Sequence, residues 1–153
     1  RSRGFEIEAT TSLAGIDLTA AYTYVDMKIT DGNWADPNNT IGNVPSGIPA
    51  HQLALWGSYE IRSGFAEGLT LGAGMRFYGK TWGDEKNTIR NDARTLVDAA
   101  ISYDFGVKTP SLNGLVAQVN VKNIFDNREV TCAVSTCYRE EGRNIIGSLR
   151  YRF

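Results

Sequence analysis

Hydrophobicity repeats every two residues along most of this chain, and that period restricts the fold more than any other feature of the sequence. Successive side chains of an extended strand point to opposite faces, so a period of two marks strands that are apolar on one side and polar on the other. The closing segment, 143–153, shows it plainly: Ile145, Gly147, Leu149, Tyr151 and Phe153 alternate with Asn144, Ser148, Arg150 and Arg152, and Ile146 is the exception. Six further segments alternate in the same way, near 3–12, 16–29, 51–61, 68–80, 95–105 and 114–125. Trp56 is out of step, falling among the polar positions of its segment. The fold class predicted is all-β, with about seven antiparallel up-and-down strands.

Alternation alone does not say whether water or lipid covers the apolar face. The connections discriminate better. Leu13-Ala14-Gly15 is a tight turn, 30–50 is long, 62–67 is short, 81–92 is longer, 106–113 is shorter and 126–142 is long. Short turns on one rim and long loops on the other are the asymmetry of a transmembrane β-barrel, with the long loops outside. Aromatic residues agree: Tyr59, Tyr103, Phe105, Tyr151 and Phe153 fall at the short-turn ends, and Phe5, Tyr24, Phe77 and Phe125 at the long-loop ends. Two such belts flanking a band of aliphatic residues suit a bilayer, where amphipathic rings settle at headgroup depth. Side chains at Leu71, Ala99, Val119 and Leu149 are then expected to face lipid, and Thr70, Asp98, Gln118 and Arg150 the interior.

Composition permits this reading. The chain has 153 residues, 42% of them hydrophobic, and a net charge of -1, with no basic excess to attract nucleic acid. No apolar run approaches the roughly 18 residues of a membrane helix, and no secretory leader precedes the first strand. Membrane barrels start at about eight strands, because an unpaired edge leaves backbone polar groups in lipid. Residues 1–153 are therefore expected to be the C-terminal segment of a larger barrel.

Three stretches carry a resemblance: Arg1-Ser-Arg-Gly-Phe-Glu-Ile-Glu8; Asn43-Val-Pro-Ser-Gly-Ile-Pro-Ala-His51 leading into Leu53-Ala-Leu-Trp56; and Asn120-Val-Lys-Asn-Ile-Phe-Asp126 followed by Gly142-Arg-Asn144 and the closing strand. Together they resemble the C-terminal part of TonB-dependent ferric-siderophore receptors, barrels of roughly 22 strands around an N-terminal plug. The resemblance implies a protein of the bacterial outer membrane that is not an enzyme and takes up a ferric siderophore with energy from TonB. It further implies that the plug and the TonB-contacting part lie outside this chain. A passive, porin-like barrel is the alternative. Outer-membrane lipid is an implied partner, as is the barrel assembly machinery, which would read Tyr151 and Phe153 in the closing strand. No resident cofactor is implied, because the iron arrives already chelated and is cargo.

Cys132 and Cys137 lie in the last long loop. Outside the cell that loop is oxidising, so a local disulfide is expected; a metal pair, which would lack further ligands, and two free thiols are the other readings. A cysteine pair there resembles the ferrichrome and other hydroxamate receptors. Trp34, Trp82 and Tyr138 on the long loops are the candidate ligand contacts, Tyr138 foremost because it adjoins the cysteine pair.

Other chemistry is weak. The single histidine, His51, has no visible nucleophile partner and reads as solvated or hydrogen-bonded. Gly72-Ala-Gly74 lies inside a strand and lacks phosphate-loop spacing, so its glycines are expected to relieve crowding. The loop from Asp31 to Thr40 has a calcium-loop composition without the terminal bidentate glutamate. Glu6, Glu8, Asp98, Asp104, Arg76, Lys122, Arg150 and Arg152 share the polar side and suggest a polar lumen.

Overall fold

Each of the seven alternating segments forms a strand in a computed structural model, which describes residues 1–32 and 39–153. These strands are β1 (Ser2–Leu13), β2 (Ile16–Met27), β3 (His51–Glu60), β4 (Leu69–Tyr78), β7 (Arg94–Asp104), β8 (Leu115–Lys122) and β11 (Asn144–Tyr151). Four short strands sit in the long connections: β5 (Thr81–Trp82) with β6 (Arg90–Asn91), and β9 (Val130–Ala133) with β10 (Thr136–Arg139). The main sheet runs β1-β2-β3-β4-β7-β8-β11, every neighbouring pair antiparallel.

Register carries the alternation intact from strand to strand. Thr11, Leu18, Gly57, Ala73, Ala99, Val121 and Ile145 lie side by side across all seven strands on one face. One residue along, Ser12, Asp17, Ser58, Gly72, Ala100, Asn120 and Ile146 form the matching row on the other. Leu71, Ala99, Val119 and Leu149 fall on the apolar face and Thr70, Asp98, Gln118 and Arg150 on the polar face, as the sequence predicts. Nothing among the described residues covers the apolar face. Leu71, Ile101, Val119 and Leu149 are all exposed, and Cys132 is the only buried hydrophobic side chain among the described residues. A water-soluble sandwich would pack a second sheet there.

The connections separate onto two rims. Ala14 and Gly15 (φ 52° and 81°) join β1 to β2, the pair of positive φ values that a two-residue type I′ hairpin needs. Residues 61–68 and 105–114 lie on that same rim, while 28–32, 39–50, 79–93 and 123–143 lie on the other. At the short-turn rim, Tyr103 meets Phe105 and Tyr151 meets Phe153 edge to face, with ring centroids 4.9 and 5.3 Å apart. At the long-loop rim Phe5, Tyr22 and Tyr24 cluster with His51. His51 thus belongs to the aromatic belt on the apolar face, its Nδ1 2.8 Å from the Tyr22 hydroxyl.

One expectation needs correction. Alternation predicts a sixth strand that reaches residue 125 and places Phe125 in the belt, but β8 stops at Lys122 because Asn123 takes a positive φ of 53°. Phe125 lies beyond it, exposed. The out-of-step Trp56 has a local explanation: its ring lies on the polar face against β4, where a Cβ at Gly72 or Gly74 would collide with it. The glycines do relieve crowding, which comes from Trp56 at both positions and also from the Leu55 carbonyl at Gly74.

Candidate functional site

The three long loops meet above the polar face and are joined mainly through short polar side chains. Asn87, at a positive φ of 58°, donates from its Nδ2 to the Val44 carbonyl and accepts at its Oδ1 from the Val44 amide, each at 2.8 Å. Ser46 donates its hydroxyl to Glu85, and Asn43 its amide to the Glu85 carbonyl. Asn91 makes the same two-way clamp on the third loop, donating to the Cys132 carbonyl at 2.8 Å and accepting from the Cys132 amide at 2.9 Å. The backbone contributes Gly47 N–H to the Trp82 carbonyl and Ser135 N–H to the Gly83 carbonyl.

Asp84 shapes the middle loop from within. It is buried, accepts from the amides of Ile89 and Thr88 and from the Thr88 hydroxyl, and these bonds, the Ile89 amide foremost, hold its carboxyl below the usual carboxylate range. The Asn-Ile-Phe-Asp and Gly-Arg-Asn stretches do related work in the last loop. Asn123 is almost fully buried, accepts from the Asn127 amide and donates to the carbonyls of Asn127 and Glu141. Asp126 accepts from the Arg143 amide and from Arg128, and both bonds lower its pKa, the amide more strongly. A side chain at position 142 would collide with Asp126 and Arg128, which accounts for Gly142. The two stretches therefore act as a loop brace.

Cys132 and Cys137 are bonded to each other across the β9–β10 hairpin, facing one another in register. The hairpin turns through Val134 and Ser135 at φ 50° and 62°, a conformation that costs a β-branched valine more than it costs asparagine or glycine.

Beneath this hairpin lies a recess of about 380 Å³. Its floor is one row of the polar face, Gln52 on β3, Tyr78 on β4 and Arg94 on β7. Gly47, Ile48, Pro49 and Thr81 form its walls, and Thr131, Ala133 and Tyr138 its roof. Arg94 pairs with Glu140 at 2.9 Å and donates to the Thr131 hydroxyl at 3.1 Å, with its guanidinium 4.9 Å from the Tyr78 ring centre. Deeper on the same face Arg76 grips Asp98 through two bonds of 2.7 and 3.0 Å beside Trp56.

Of the predicted ligand contacts, Tyr138 lines the recess. Trp82 does not; its ring lies under Arg90, and its carbonyl ties two loops together. Trp34 falls outside the described residues. Sequence reasoning missed Gln52 and Arg94, although position gave a usable signal: both lie on the polar side of a strand at its long-loop end.

The model of the TonB dependent receptor-like β-barrel family matches residues 1–124. The ferrioxamine B receptor of Salmonella typhimurium is 37% identical over 99% of this chain and 21% of its own length. The ferrichrome outer membrane transporter/phage receptor of Escherichia coli is 33% identical over 100% of this chain and 20% of its own. Among solved structures, the siderophore receptor PiuA from Acinetobacter baumannii superposes with a TM-score of 0.77 at 25% identity, over 98% of this chain and 21% of that one. The chain spans about a fifth of the length of the curated relatives it matches.

Proposed function

The chain belongs to the TonB-dependent receptor β-barrel family of the outer membrane, and from that premise we propose that it is the part of a ferric-siderophore uptake receptor that supplies seven wall strands and three extracellular loops. The observation that carries this is the match to the ferrioxamine B receptor along 99% of the chain, supported by the uncovered apolar face and the polar face opposite it.

In this reading the apolar face meets lipid and the two aromatic belts sit at its interfaces. The polar face lines the barrel, and the joined loops form one wall of the vestibule where the chelate lands. Recognition falls on the chelate's organic shell, through aromatic, amide and hydroxyl groups of the kind gathered around Tyr138, and the protein needs no iron ligands of its own. The favoured cargo is a hydroxamate, the class to which ferrioxamine and ferrichrome belong. TonB would deliver energy through parts of the receptor beyond this chain, and the assembly machinery would read Tyr151 and Phe153.

Growth under iron limitation tests the assignment. Deleting the full-length gene in a strain without a second receptor should abolish growth on ferrioxamine B or ferrichrome. Unchanged growth on every siderophore tried would refute it.

A further inference from the structure

The recess beneath the disulfide hairpin has a lining whose charge is already balanced. Arg94 is its one guanidinium; one terminal nitrogen meets Glu140 at 2.9 Å and the Thr131 hydroxyl at 3.1 Å, while its Nε is buried without a hydrogen-bond partner. An anionic ligand would have to compete with the Glu140 carboxylate for it. A cationic ligand finds no carboxylate among the lining residues. What remains is a set of uncharged donors and acceptors: the Gln52 amide, the hydroxyls of Tyr78 and Tyr138, and those of Thr81 and Thr131, which already accept from Asn91 and Arg94. Beside them stand the apolar surfaces of Ile48, Pro49 and Ala133.

A ligand that suits such a lining offers one N–H and one C=O next to each other, with methylene groups on either side. We propose that this recess is a subsite for an uncharged amide-and-methylene arm of a ferric hydroxamate chelate. The proposal rests on the reading of the protein as a hydroxamate receptor and adds where the arm goes and what selects it. Gln52 pairs with the amide, because a side-chain amide donates and accepts at once. The methylenes lie on Ile48 and Pro49. The β9–β10 hairpin closes the roof, which gives the disulfide a purpose at this place: it fixes Ala133 and Tyr138 over the recess.

The test uses the full-length receptor in detergent and ferrioxamine B, whose hydroxamates are joined by amide and methylene spacers, as the probe. Ala133→Phe fills the recess from its roof, and Gln52→Leu removes the amide from its floor at nearly constant size. Each should weaken ferrioxamine B binding at least about tenfold, the scale of one lost hydrogen-bonding partner for Gln52→Leu and of a blocked subsite for Ala133→Phe. Val130→Phe places the same ring on the opposite face of the same hairpin, where Val130 is exposed, and should leave binding unchanged. Thiol titration showing no free cysteine confirms that the hairpin is formed in each variant. Wild-type affinity in both recess variants, or an equal loss in Val130→Phe, would overturn the subsite while leaving the receptor assignment standing. An unaltered receptor that binds neither ferrioxamine B nor ferrichrome would remove the hydroxamate reading and the subsite with it.

Discussion

Across the sheet, strands of eight to twelve residues are joined by backbone ladders, whereas the three long loops are joined mainly by named side chains: Asn87 on Val44, Asn91 on Cys132, Glu85 on Ser46. A ladder asks only that each residue be extended, so it tolerates any side chain suited to its face. A loop junction made by one amide fails when that amide is replaced. The sheet is therefore specified by pattern and the rim by identity, and the two should respond differently to substitution.

The largest effect should come from placing charge on the wrong face. Val119 and Gln118 are neighbours on β8 but face opposite sides. Arginine on the lipid side near the bilayer midplane costs about 2–4 kcal/mol, while lumen substitutions are mild. Val119→Arg should sharply reduce folded receptor and Gln118→Arg should not, as read by heat-modifiable mobility of the barrel. The reverse result would mean that the faces are exchanged, since a slip of one residue flips every side chain.

Phe153 tests the sheet in another way. It lies past the last strand, is fully exposed and touches Tyr151 edge to face. Burying one aromatic contributes only about 1.5–3 kcal/mol, so a formed barrel should survive its removal. If the residue is read during assembly, deleting it should lower receptor abundance in the outer membrane several-fold and leave uptake per assembled molecule unchanged. Normal abundance would discard the signal role.

The rim should break locally. Asn91→Ala removes both bonds to Cys132 and leaves that buried backbone amide and carbonyl unpaired, at about 1–3 kcal/mol. Hydrogen exchange should quicken across β5, β6, β9 and β10 while the seven-strand sheet keeps its protection. Equal acceleration in both would show that rim and sheet unfold as one unit. The double change of Cys132 and Cys137 to serine should be gentler, about 2 kcal/mol for so short a loop in the chain-entropy description, and confined to the hairpin.

The same distinction explains what the sequence disclosed. Seven strands, their two faces, the rim assignment of the loops and the aromatic belts follow from a period of two and from loop lengths, because sheet structure is written in a repeating local code. Boundaries shift where one residue overrides the period, as Asn123 does at the end of β8. The short strands β5, β6, β9 and β10 are illegible because two to four residues are too few for a period of two to register, and what ties the two pairs together is remote in sequence; Asn91 and Cys132 are 41 residues apart. Trp56 looks like an error in the pattern until register sets Gly74 directly opposite it. The recess is half legible: Tyr138 stands out for its place beside the cysteine pair, but Gln52 and Arg94 gain meaning only once register puts them in one row.

Acid should separate rim from sheet with the smallest effect, one that is absent at neutral pH. Asp84 and Asp126 are both held below the usual carboxylate range, by the Ile89 amide first for the one and the Arg143 amide first for the other. An unfolded aspartate titrates near about 3.9. A folded value below that means each carboxylate adds stability that is fully present above about pH 4 and is lost as pH falls through the lower folded value. Between pH 7 and 5 the loops should not loosen. Below about pH 4 exchange should quicken around residues 84–89 and 123–143, while the β-sheet circular dichroism signal holds, because backbone ladders carry no titrating group. Asp84→Asn should flatten the response around 84–89 alone, since a neutral amide keeps an acceptor oxygen but has no proton to gain. Loosening already between pH 7 and 5, or loss of sheet signal in step with the loops, would show that these two aspartates do not govern the rim.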